Sequence, residues 1–211
     1  MSWASSVNST VPAGRTCQVA LNILVVVLCL LYVNAGYHHF LTSRSIQSLC
    51  ALGVNSLFLV LFLARRPAAA ESPSLAMWLL GVGGSALPLL LRPSEVTGFV
   101  RVGTIIQVTG MIMVAAGLLS LRRSFAVVPG NRGVRDGGLY RVVRHPIYIS
   151  EIVAVLGWVL MYPTIANGAL WLCLCGLQLT RARAEEDFLS SDPIYRAYRQ
   201  RVRYRLIPGL I

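Results

Sequence analysis

At 211 residues, with 55% hydrophobic and 13% charged side chains, the chain departs from soluble domains, where about 25% charged is usual. Its net charge of +11 comes from arginine alone, since there is no lysine. An ordinary soluble enzyme is thereby excluded, and arginines clustered at the ends of apolar runs suit anionic headgroups better than nucleic acid. The chain reads as an integral membrane protein with several crossings and no internal repeat. Cys17, Cys29, Cys50, Cys173 and Cys175 have no metal-ligand spacing and read as small buried hydrophobes, so no metal site is expected.

The N-terminal MSWASSVNST lacks the basic start of a cleaved signal, so the first apolar block is expected to be a retained span. That span covers 18–40, long enough for a hydrocarbon core that needs about 20 residues. His38 and His39, adjacent and so on different helix faces, fall at its interface. A second span, 46–64, is stopped by Arg65, Arg66 and Pro67. A third, 74–91, carries Gly81, Gly83 and Gly84, read as close helix packing because no strand precedes them to make a nucleotide loop. The fourth, 99–121, places Gly103, Gly110 and Gly117 on one stripe, with Gln107 beside it as a hydrogen-bonding group across a helix contact.

A polar stretch, RGVRDGGLYRVVRHPIY, then runs from Arg132 to Tyr148. Pro146 suits a first helical turn, so Arg144 and His145 fall at a helix start, where free N–H groups favour an anionic ligand group. The apolar run 147–179 is too long for one helix and is broken at Tyr162, Pro163, Asn167 and Gly168, which predicts a helical hairpin. With both termini cytoplasmic, only Arg44, Arg92 and Arg101 of the 19 basic residues lie on the far side, in line with the positive-inside rule.

Beyond the hairpin come Arg181, Glu185 and Glu186, then Asp192 as N-cap with Pro193 in the first turn of a last helix. On that helix Ile194, Tyr198 and Val202 form an apolar line beside Arg196, Arg199 and Arg203, the pattern of an interfacial amphipathic helix. The predicted fold is an all-α polytopic membrane bundle: four transmembrane helices, a C-terminal helical hairpin and cytosolic amphipathic helices. Residues 1–121 hold the four spans, and 122–211 form the functional core.

The run GGLYRVVRHPIY, the downstream Arg181, Glu185, Glu186 and Leu189, then Tyr195, Tyr198 and the closing VRYRLIP resemble the isoprenylcysteine carboxyl methyltransferase and phospholipid methyltransferase superfamily. The resemblance covers 132–208, and the segment SSDPI before Tyr195 is shorter than is usual there. It implies a membrane enzyme that uses S-adenosylmethionine in a cytosol-facing pocket, with the lipid bilayer and a lipophilic or prenylated substrate as partners. It also implies that Tyr140, His145, Pro146, Ile147, Tyr148 and Glu185 contact the cofactor. Arg132, Gly133, Val134 and Arg135 would approach the cofactor as well, and Arg181 would hold the carboxylate of the acceptor.

The residue types suit that chemistry. Glu185 can accept hydrogen bonds from hydroxyl or ammonium groups of a sulfonium donor, His145 can face its carboxylate, and Tyr140 or Tyr148 can lie against its cation or adenine. A carboxylate acceptor is already a nucleophile and needs no base, so Arg181 would only orient it. Taken alone, Arg181 and Glu185 would be an ion pair four residues apart, worth about 0.3–0.5 kcal/mol. Glu151 reads as a complement to its helix N-terminus or an arginine partner, and Tyr195 and Tyr198 as interfacial anchors. Two other functions fit less well. An NADPH-dependent reductase of the sterol reductase type shares the closing motif but tends to carry Arg-Asp where this chain has Glu185 and Glu186. A non-enzymatic transporter subunit or membrane scaffold ranks last, since transport usually leaves ionisable residues mid-membrane and this chain has almost none there.

Overall fold

The computed structural model describes residues 15–66, 70–71, 74–94, 98–125, 127 and 130–210. Among the described residues, seven α-helices carry the architecture: α1 (Arg15–Ser43), α2 (Ile46–Leu63), α3 (Leu75–Ala86), α4 (Val100–Leu121), α5 (Pro146–Met161), α6 (Ile165–Leu189) and α7 (Pro193–Arg201). The polar N-terminal stretch and Pro67 lie outside the described residues. One departure from an all-helical chain is a two-residue antiparallel ladder, Ala70 with Asn131 and Glu71 with Gly130. It ties the link after α2 to the link after α4.

Among the described residues, three helical stretches are long and apolar enough to cross a membrane: Val19–Ser43, Ile46–Leu63 and Val100–Ser124. The expected third span is shorter, because α3 gives way at Leu87 to a 3-10 turn through Leu90. Pro88 in that turn has no N–H to continue an α-helical ladder. Helix α5 is also short, 16 residues or about 24 Å at 1.5 Å per residue. Exposed Ile23, Leu31, Val60, Leu79, Ile105 and Ile112 cover the outer faces of the first four helices, the surface that a lipid environment would meet.

The glycine stripe of α4 packs on α5. A Cβ at Gly110 would stand 2.5 Å from the backbone nitrogen of Ala154, and one at Gly103 would meet the Gly157 carbonyl at 2.6 Å. Gly157 answers from α5, where a Cβ would run into the backbone of Gln107 and Gly103. The two backbones therefore approach as small residues alone permit. Gln107 differs from expectation: it is buried, yet its Oε1 has no hydrogen-bond partner, and α4 is bonded instead through Thr104, whose Oγ1 accepts from Gln47 Nε2 of α2 at 2.8 Å and donates to Met161 Sδ of α5 at 3.4 Å.

Helices α5 and α6 run antiparallel, since Trp171 Nε1 donates to the Ile152 carbonyl at 3.1 Å while Tyr148 Oη donates to Glu185 Oε2 at 2.7 Å. Thr164 caps α6 by accepting from Asn167 N at 3.1 Å. Asn167, fully buried, clamps the turn to the link before α4 through Arg92 N at 3.2 Å and Arg92 O at 3.0 Å.

Gly157→Leu is expected to force α4 and α5 apart and to cost about 1–3 kcal/mol, as overpacking does. Gly83→Ala, where an added Cβ meets nothing within 4 Å, should be neutral or slightly stabilising. Thermal unfolding of the two variants in detergent micelles checks both.

Candidate active site

The end of the bundle where α2, α4 and α6 finish and α5 begins holds the polar residues. The loop before α5 makes two strand-like hydrogen bonds with the C-terminal tail, Arg144 N to Tyr204 O and His145 N to Arg205 O, both 2.9 Å. The Arg144 side chain reaches further into the tail, donating to Val202 O at 2.8 Å and Arg203 O at 2.5 Å. The closing VRYR segment is thus folded back over the RHP element.

Glu186 is the centre of this arrangement. Its carboxylate, 1% exposed, receives Arg144 Nε at 2.8 Å, His145 Nε2 at 3.2 Å, and Arg205 through Nη2 at 2.9 Å and Nε at 3.1 Å. Burial by itself would raise its pKa, but hydrogen bonds from His145, Arg205 and Arg144 outweigh that and hold it well below the usual carboxylate range. The same contact pushes the Arg205 pKa up.

Glu185, one residue earlier on α6, turns the other way into a chamber and keeps 28% of its side chain exposed. Tyr148 Oη donates to its Oε2, and His145 Nδ1 lies 3.7 Å from the same oxygen. The His145 ring stacks on Tyr148 with centroids 5.3 Å apart and planes at 5°. His145 therefore bridges two carboxylates and does not stand free to receive a ligand carboxylate, as expected from its place at a helix start. Helix α5 begins at Pro146, which lies buried behind the wall.

The chamber, about 110 Å³, is lined by Arg132, Gly133, Val134, Arg135, Tyr140, His145, Ile147, Tyr148, Arg181 and Glu185. Sequence reasoning had named all ten; of the proposed site residues, Pro146 alone is not on the wall. Tyr140 is buried, and burial first, then the charge of Glu185, pushes its phenol up. Arg181 does not pair with Glu185. Its Nη2 donates to Val127 O at 2.7 Å, its Cζ lies 4.7 Å above the Tyr148 ring, and its Nε has no partner.

Other wall residues were missed or misread. Tyr195 and Tyr198 are buried chamber residues and not interfacial anchors, with Tyr198 Oη donating to the Tyr140 carbonyl at 2.9 Å. Ile194, expected on the apolar line of α7, is 68% exposed, and the buried face is Tyr195, Tyr198 and Val202 against Val134 and Leu189. Phe58, Ser85 and Leu121 bring the first half of the chain into the wall, so the site is not confined to 122–211. Arg144 and Glu186 carry the framework; two adjacent basic residues followed by two adjacent acidic ones were the available signal.

A second, larger chamber of about 340 Å³ lies among α1 to α5, lined by apolar residues such as Val25, Leu28, Val54, Val114 and Trp158. The two chambers share Phe58, Ser85 and Glu151. Glu151 accepts a hydrogen bond on its Oε2 from Gln178 Nε2 across the α5–α6 contact, with Arg181 as the nearby arginine charge.

Fold and chambers together define a helical integral membrane protein with a polar, carboxylate-lined site at one end of its bundle. Residues 99–197, just under half of the chain, match the family model for phospholipid methyltransferase. The RHPIY and Glu-Glu elements lie within this segment, which is similar to that membrane methyltransferase family. No curated protein matches the chain.

Glu186→Ala should destabilise the fold by about 3–5 kcal/mol, because it strands buried Arg144 and His145 and partly buried Arg205 without their counter-charge. Since folding lowers the Glu186 pKa, its contribution is present above the ordinary carboxylate range and lost as pH falls through and below it. Melting temperature should therefore drop between about pH 5 and pH 2, with a smaller drop in Glu186→Gln.

Proposed function

We propose that the protein transfers a methyl group from S-adenosylmethionine, held in the polar chamber, to a lipophilic acceptor whose chain occupies the apolar chamber. The acceptor class is an isoprenylcysteine-type carboxylate or a related lipid. The observation that carries this reading is the shared wall at Phe58, Ser85 and Glu151, where a site of carboxylates, arginines and tyrosines borders one lined by aliphatic side chains. A reaction between a charged donor and a membrane-borne acceptor needs such a junction.

The chamber residues fit the donor. Tyr195 Oη and Arg181 Nε are buried at the wall without hydrogen-bond partners, groups that a polar ligand would satisfy. The polar chamber, about 110 Å³, is below the usual volume of roughly 300 Å³ or more for a cofactor site, so donor binding requires the chamber to widen. Bound S-adenosylmethionine supplies a methyl group made electrophilic by its sulfonium. Glu185, oriented by Tyr148, accepts hydrogen bonds from ligand hydroxyl or ammonium groups. Arg181, fixed by Val127 O and the Tyr148 ring, is set to orient the acceptor. Helix α7 contributes Tyr195 and Tyr198 to the chamber wall, which limits its contact with water.

In this reading α3 with its 3-10 turn makes a fourth crossing, α5 and α6 form a helical hairpin, and the site and both termini are cytoplasmic. A reporter fused to the C-terminus should respond on the cytoplasmic side only; a response on the far side would invert the orientation.

Purified protein should bind S-adenosylmethionine in calorimetry. Glu185→Ala should weaken that binding at least about tenfold, the loss of a charge-assisted hydrogen bond, with an unchanged melting temperature. No binding, or tighter binding of NADPH, would remove the methyltransferase reading.

A further inference from the structure

Glu151 stands in the second turn of α5, half-buried, on the wall common to both chambers. Its hydrogen-bond partner is neutral, Gln178 Nε2. Gln178 is fully buried and its Oε1 has no partner. Beside it, Gln178 Nε2 and Arg181 Nη1 each lie 3.7 Å from where a Cβ on Gly84 would stand. A carboxylate, an amide and a guanidinium thus gather where the polar chamber meets the apolar one. A carboxylate against aliphatic walls is costly. A hydrogen bond to Gln178 does not require that charge, since a glutamine at 151 could accept it through its own carbonyl.

We propose that Glu151 is the proton acceptor of the methyl transfer, and that the acceptor presents a neutral protic head, a hydroxyl, phenol or thiol, on its apolar chain. The inference rests on the methyltransferase reading and narrows its substrate. A lone pair on the head-group oxygen or sulfur forms the new bond to the methyl carbon. The methyl–sulfonium bond breaks with its electron pair left on sulfur, which becomes a neutral thioether. The head-group proton passes to the Glu151 carboxylate and leaves through the polar chamber. An acceptor that arrives as a carboxylate needs no base and would be a second anion beside Glu151, with Arg181 shared between the two.

The test uses the full chain in lipid nanodiscs with three probes: dodecylphenol, dodecanethiol and dodecanoate. Displacement of a fluorescent alkyl probe, without donor, should show wild type binding dodecylphenol at least about tenfold better than dodecanoate, with the ratio collapsing towards one in Glu151→Gln. With methyl-labelled S-adenosylmethionine, wild type should label the phenol or the thiol in preference to dodecanoate. Glu151→Gln should keep donor binding within about twofold and lose at least about a hundredfold in kcat, the scale of a lost general base, and Glu151→Asp should recover part of it. Turnover within tenfold of wild type in Glu151→Gln, preferred labelling of dodecanoate, or loss of donor binding in that variant would each overturn the assignment. Failure of wild type to bind the donor would instead bring down the methyltransferase reading and this inference with it. Should Glu151→Gln fail to fold, the wild-type probe ratio and Glu151→Asp still decide.

Discussion

Three cationic or hydrogen-bonding side chains, Arg144, His145 and Arg205, converge on the single buried carboxylate of Glu186. They come from the loop before α5 and from the tail, so the contact joins three distant parts of the chain. It also sets the rotation of the last turns of α6. Successive helical residues are about 100° apart. With Glu186 held inward by the clamp, Glu185 is turned into the chamber, and Arg181, one turn earlier, shares its face. The adjacent carboxylates thus divide two tasks, one structural and desolvated, the other open to a ligand. A buried charge of this kind stabilises only because its partners are all present.

The glycine contact between α4 and α5 provides the second constraint. Close approach of these backbones fixes where α5 begins and therefore where His145, Tyr148 and Glu151 stand relative to the first half of the chain. Because α5 is short, its ends are held by other elements: Leu160 O accepts from Phe99 N at 2.9 Å at one end, and the tail grips Arg144 and His145 at the other. Polar groups at the start of α5 are thereby gathered under a cover of α7 and tail, while residues one or two turns further on face aliphatic walls.

That gradient along one helix sets a polar chamber beside an apolar one. Tyr148 belongs to the polar chamber, Ala154 and Trp158 to the apolar one, and Glu151 to both. Few side chains separate them, and Phe58 and Ser85 complete the boundary from α2 and the end of α3. The segment 99–197, which is similar to phospholipid methyltransferase, supplies most residues of the polar side. The apolar side is built largely from helices outside that match.

Composition alone placed this chain in a membrane, and apolar runs bounded by arginine, proline and glycine located its helices, because both depend on local residue chemistry. The RHPIY and Glu-Glu elements marked the site for the same reason: short motifs carry their chemistry with them. Tertiary structure alone decided that Glu185 faces the chamber while Glu186 holds the clamp. It alone decided that Arg181 leaves Glu185 for Val127 O, and that Tyr195 is buried where Ile194 is exposed. Each of these depends on the rotation of a helix about its axis, set by partners far away in sequence. The junction at Phe58, Ser85 and Glu151 joins residues with no shared local pattern, so only packing of the whole bundle could bring them together.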